Sequence, residues 1–127
     1  MKRAILAIRN TLILEAVMNS LKESGFLVEK ASSQETDKIL AIMNALLADF
    51  LIMDVTRCGD GTFDQRMETV LAAKKQNPSV KIALLCDNVS NEESAYRIKH
   101  AKEEGKIDAF FYESVPSNYL VDVIDSL

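Results

Sequence analysis

Asp49-Phe50-Leu51-Ile52-Met53-Asp54 places four consecutive apolar residues between two carboxylates, and Gly59-Asp60-Gly61 follows a few positions later. A run without polar alternation fits a strand covered on both faces, as in a parallel sheet; a half-exposed strand would alternate. Four more short runs lie on either side of it, at Ala4–Ile8, Phe26–Lys30, Val80–Cys86 and Ala109–Tyr112. The fourth in chain order is as strongly apolar as Phe50–Met53, while the second is mixed.

Helical periodicity fills the gaps between these runs. From Thr11 to Ser24, Leu14, Val17, Met18 and Leu21 fall at i, i+3, i+4 and i+7, and Gly25 supplies a stop. Ser32-Ser33-Gln34-Glu35 reads as a capping box ahead of a stripe of Ile39, Met43 and Leu46. Thr62-Phe63-Asp64-Gln65 opens a third helix that lines up Phe63, Met67, Val70, Leu71 and Lys74 and ends at Asn77-Pro78. Ser90-Asn91-Glu92-Glu93 reads as a second capping box, before a thin face of Ala95, Ile98 and Ala101 or Lys102. The fifth helix starts near Pro116, with Leu120, Val123, Ile124 and Leu127 on one side. Strands alternating with helices imply parallel strands joined by right-handed crossovers. The expected fold is α/β: a (βα)5, flavodoxin-like three-layer sandwich with a five-stranded parallel sheet in the order 2-1-3-4-5.

The 127 residues suit a single domain over 1–127, large enough to bury a core without metal or disulfide staples. With 48% apolar and 27% charged residues the chain is globular in composition. Fifteen basic against nineteen acidic residues give a net charge of −4, which argues against nucleic-acid binding. No apolar run approaches the length of a signal peptide or membrane span, so a cytoplasmic protein without membrane contact is expected. Cys58 and Cys86 lack C-x-x-C spacing and read as reduced thiols rather than a redox pair. His100, among lysines, reads as a solvated residue, and Gly59-Asp60-Gly61 as a turn without nucleotide-loop spacing.

In open α/β sheets, ligands bind beyond the carboxyl ends of the strands, where strand order reverses. In this order that crevice lies between the first and third strands. Arg9 and Asn10, Asp54 through Gly61, Cys86-Asp87-Asn88 and Glu113-Ser114 leave those ends.

With these residues in place, the whole chain resembles the CheY-like receiver domain of two-component response regulators. The likeness is carried by Asp49-Phe50-Leu51-Ile52-Met53-Asp54 with Gly59-Asp60-Gly61, by the (βα)5 order, and by Gly105-Lys106-Ile107-Asp108 before the last strand. It implies that Asp54 matches the phospho-acceptor. The acidic pair that holds Mg²⁺ in the family is matched by Arg9 and Asn10, the hydroxyl residue by Cys86, the lysine by Glu113, and the aromatic switch by Phe110. Asn10 and Asp54 remain as weak Mg²⁺ candidates, with Asp60 or Asp87 as possible lenders of a carboxylate.

A pseudo-receiver follows as the expectation: a phosphorelay signalling module, not an enzyme, that needs no cofactor and works through protein contacts. Its partner would be a histidine kinase or an output protein, and helices four and five could form a homodimer. Tyr96, Tyr119 and Val121 are the interface candidates. In the pocket, Arg9 is expected to pair with Asp54, with Glu113 joining the charge cluster; alternatively Arg9 faces solvent and Asn10 merely caps the first helix. The alternative function is a response regulator phosphorylated on Asp54 with Mg²⁺ and capable of autophosphorylation from small donors. A flavodoxin-like enzyme is disfavoured, because Arg9-Asn10-Thr11-Leu12 lacks the glycines and hydroxyls that cradle a flavin phosphate.

Overall fold

Every strand expected from the sequence forms, with ends shifted by one or two residues. The computed structural model describes residues 1–57, 59–87 and 92–127. Its elements are β1 (Arg3–Ala7), α1 (Thr11–Glu23), β2 (Leu27–Lys30), α2 (Thr36–Leu46), β3 (Phe50–Val55), α3 (Phe63–Gln76), β4 (Lys81–Cys86), α4 (Glu92–Glu103), β5 (Ala109–Tyr112) and α5 (Ser117–Ser126). A 3-10 turn at Gly59–Gly61 precedes α3. The strands are all parallel in the order β2-β1-β3-β4-β5, as expected.

Alternation along the buried strands divides the apolar interior in two. Ile5, Leu51, Met53, Ile82 and Leu84 pack with Ile39, Met43, Val70 and Ile98, on the side covered by α2, α3 and α4. Leu6, Phe50, Ile52, Ala83 and Leu85 pack with Val17, Leu21, Leu120 and Ile124, beneath α1 and α5. Both faces of the sheet are therefore covered, which is why its central strands are apolar at nearly every position, with Asp54 the exception in β3. Among the described residues no helix is long and apolar enough to cross a membrane.

Local signals account for several helix ends. Asn10 accepts N–H bonds from Leu12 and Ile13, and Thr62 accepts one from Gln65. Gly25, at φ +90°, closes α1, and Phe26 N–H returns to Leu21 O. The Ser32–Glu35 capping box does not form: α2 starts later, at Thr36, and Ser33 Oγ instead accepts the Glu35 N–H in a local turn. In the fourth helix, Ser90 and Asn91 of the expected box lie outside the described residues.

The α3 stripe is also rotated from the one expected. Its buried residues are Arg66, Thr69, Val70 and Ala73, whereas Leu71 is 64% exposed. Lys74, expected on the apolar face, lies at its border and ion-pairs with Asp108 at 2.7 Å while donating to Val80 O. In α5, Val121 is a correction too: it is 3% exposed, inside the α1/α5 core, because the buried stripe runs Leu120, Val121, Ile124. It is not an accessible interface residue.

Candidate functional site

Asp54 lies within β3, opposite Leu85 of β4, and is 1% exposed. A carboxylate buried this deeply must find partners, and the structure supplies them from two directions. Oδ1 accepts from Arg66 Nη2 at 2.9 Å; Oδ2 accepts the backbone N–H of Arg9 at 3.0 Å. The ion-pair partner is therefore Arg66 of α3, with Arg9 contributing through its main chain. This corrects the expected Arg9–Asp54 side-chain pair.

Arg66 is fully buried and stitches the switch point together. Its Nε donates to Asp54 O at 2.8 Å, and its Nη2 reaches Ala7 O at 2.9 Å and Gln34 Oε1 at 2.6 Å. The guanidinium thus bridges the carboxyl ends of β1 and β3 and ties the segment before α2 to both. Burial pushes its pKa below the ordinary arginine value, while the charge and hydrogen bond of Asp54 pull it back up. Among the described residues Nη1 has no hydrogen-bond partner.

The other expected pocket residues gather around this pair with different roles. Asn10 Oδ1 is committed to capping α1. The Arg9 guanidinium lies over the loop after β3, where a Cβ on Gly59 would meet Nη1 at 2.9 Å; Gly59, at φ +79°, has none. Cys86 ends β4, fully buried, with its thiol pushed up to about 11, first by burial and then by Asp87 and Glu113. Cys58 falls outside the described residues.

Glu113 follows β5 and lines a small cavity of about 80 Å³ with Ile13, Val17, Leu85 and Leu120. Burial raises its pKa, and Asp54 and Asp87 raise it further. Its link to Asp54 is thus like-charge repulsion; among the described residues Glu113 forms no ion pair. Phe110 is half-buried against the α2–α4 core and meets Tyr112 edge-on at 5.0 Å. Tyr96 and Tyr119 are exposed, at 72% and 55%.

No protein-family model matches the sequence, and no curated protein matches it either. Solved structures do. A CheY-like receiver domain protein from Methanospirillum hungatei superposes with a TM-score of 0.76 at 20% identity, covering 99% of this chain and 92% of the other. The fold is that of the response regulator receiver domains. Chemotaxis response regulator CheY4 of Vibrio cholerae, with a TM-score of 0.74, and the response regulator TrrA of Thermotoga maritima, solved with Mg²⁺-BeF at a TM-score of 0.70, share it at 20% and 19% identity. Each of the two alignments covers 99% of this chain and 98% of the other.

Receiver chemistry calls for Mg²⁺ beside the acceptor, and this donor set does not fit that ion. Mg²⁺ needs hard oxygen ligands with their lone pairs open. Here the buried Arg66 cation is hydrogen-bonded to one oxygen of Asp54, where it would repel the ion, a backbone N–H donates to the other, and the Asn10 carbonyl caps a helix. Among the described residues no group of three or more Asp, Glu, His or Cys side chains could hold a metal. Arg66 and Gln34 were missed from the sequence, because a polar residue is discarded when an apolar stripe is traced. The spacing was nonetheless there: Arg66, Thr69, Val70 and Ala73 fall at i, i+3, i+4 and i+7.

Proposed function

We propose that this chain is a receiver-like signalling module that works through protein contacts and takes up no phosphoryl group on Asp54 by the ordinary Mg²⁺-dependent route. The observation that carries this reading is the buried Arg66–Asp54 ion pair. Phosphoryl transfer to a carboxylate needs an oxygen free to attack and a cation positioned against the developing charge. Arg66 engages the attacking group instead, and Glu113 brings a second carboxyl group within Coulombic reach of Asp54. A fixed internal cation would hold the domain in one conformation, leaving a sensor kinase or an output protein as the partner class. A cytoplasmic, non-catalytic role goes with it.

Intact-mass analysis after incubation with acetyl phosphate and Mg²⁺ tests the reading, with Asp54→Asn as control. The expected spectrum shows no phosphoryl adduct. An adduct present in the parent and missing in the control would restore the phosphorylatable response regulator.

A further inference from the structure

The seam between α1 and α5 is closed at one point and open a turn away. Ser20 Oγ and Ser117 Oγ meet across it at 2.7 Å. One turn earlier on α1 stands Ala16, and its small side chain leaves a cavity of about 80 Å³. That is several times the ~15 Å³ that a single water needs. The floor of the cavity is apolar, made of the buried side chains of Val17, Leu85 and Leu120. Its rim is made of residues that reach solvent, among them Ala16, Glu113 and Ser117.

Glu113 brings to this rim a carboxylate that nothing balances. Among the described residues it forms neither an ion pair nor a side-chain hydrogen bond, and the two charges that act on it, Asp54 and Asp87, are both negative. Cys86, at the neighbouring strand end, feels the same field, because Asp87 and Glu113 both hold its proton on. Such a field selects a cation. A metal ion would need several oxygen ligands, and the side chains of this rim offer one carboxylate and one hydroxyl. A primary ammonium with a short alkyl tail suits both halves of the site. Its N–H groups match the carboxylate and the second lone pair of Ser117 Oγ, and its tail matches the apolar floor.

We infer that the cavity between α1 and α5 binds a small primary alkylammonium ion, its head on Glu113 and Ser117 at the rim and its tail over Val17, Leu85 and Leu120. With the charge at the rim and the apolar surface at depth, a free amine fits tail first. A lysine of another protein would enter ammonium first, against the apolar floor. The site is separate from any phosphoryl chemistry of Asp54 and stands or falls without it. The probe is propylammonium chloride, titrated into the full ¹⁵N-labelled chain at constant ionic strength. A solution at about pH 8 lies above the ordinary glutamate range and below the pKa of a lysine-like amine. Methylammonium, 1-propanol and Nα-acetyl-lysine methylamide are titrated beside it. Propylammonium should give saturable shifts in α1, in Glu113 to Ser117 and in α5. It should bind about fifteenfold more tightly than methylammonium, at about fourfold per methylene buried. Glu113→Gln, which removes the charge and keeps the shape, should abolish those shifts. Ala16→Leu, an exposed position whose larger side chain fills the gap and leaves the carboxylate in place, should abolish them as well. Absence of saturable shifts, equal binding of the two amines, or undiminished binding in Glu113→Gln would overturn the inference. So would saturation of the same amides by propanol, or a lysine derivative that binds as tightly as propylammonium, since a partner's lysine would then be the occupant.

Discussion

Arg66 carries a full charge at zero exposure, and its energetics are set by what it touches. Taking a guanidinium and a carboxylate out of water is costly, and the pair recovers that cost only through good geometry and further hydrogen bonds. Three of those bonds go to Asp54 O, Ala7 O and Gln34 Oε1. Removing one partner leaves the other charge buried and alone. Arg66→Ala should therefore lower the unfolding free energy by about 3–5 kcal/mol, read by urea denaturation. Arg66→Met combined with Asp54→Leu, which removes both charges and so leaves neither buried alone, should cost clearly less than the two single changes added. Glu113 illustrates the opposite case, a charge the fold disfavours. Its pKa is raised in the folded state, so the native protein holds that proton more tightly than the unfolded chain does. Stability consequently falls as pH rises from the ordinary glutamate range through the raised value, and stays lower above it. Glu113→Gln should melt higher than the parent at neutral pH, with the difference closing in melts taken at and below the ordinary glutamate pKa.

Among the elements, α2 shows how a helix ends without the expected residue. Leu47 closes it at φ +52°, a left-handed conformation that glycine adopts freely, and its side chain is 70% exposed. Leu47→Gly should raise stability by about 1 kcal/mol, because the steric penalty disappears and little burial is lost. Chemical denaturation of that variant checks it. The strands were legible in the sequence because a doubly covered strand has no polar alternation to confuse it; Phe50–Val55 is buried at every position. Helix α3 was legible in place but not in phase. Apolar Phe63, Met67 and Leu71 mark the side that faces a cleft against α4, while the side against the sheet holds Arg66 and Thr69. A buried arginine is invisible to hydropathy, since only its partners, which are distant in sequence, neutralise it. Arg9 was expected in its place because it stands at the end of a strand. Its backbone does reach Asp54, so the two strand ends meet where the crevice rule put them.

At the scale of the molecule, coverage falls from the centre of the sheet to its edge. Every β3 residue is buried, while β2, at the edge, is exposed at three of its four positions. Amides of β3 should exchange with deuterium only through global unfolding, and those of β2 through local fraying. Exchange monitored by NMR should rank β3 slowest; equal protection in β2 would contradict that gradient. The Arg66–Asp54 pair has one consequence at this scale. A receptor that toggles can report a signal while its copy number stays constant. On the reading proposed above, a domain clamped in one position has no second state to report, and whatever it transmits must be set by abundance: by how much of it is made, how fast it is degraded, and how many partners compete for it.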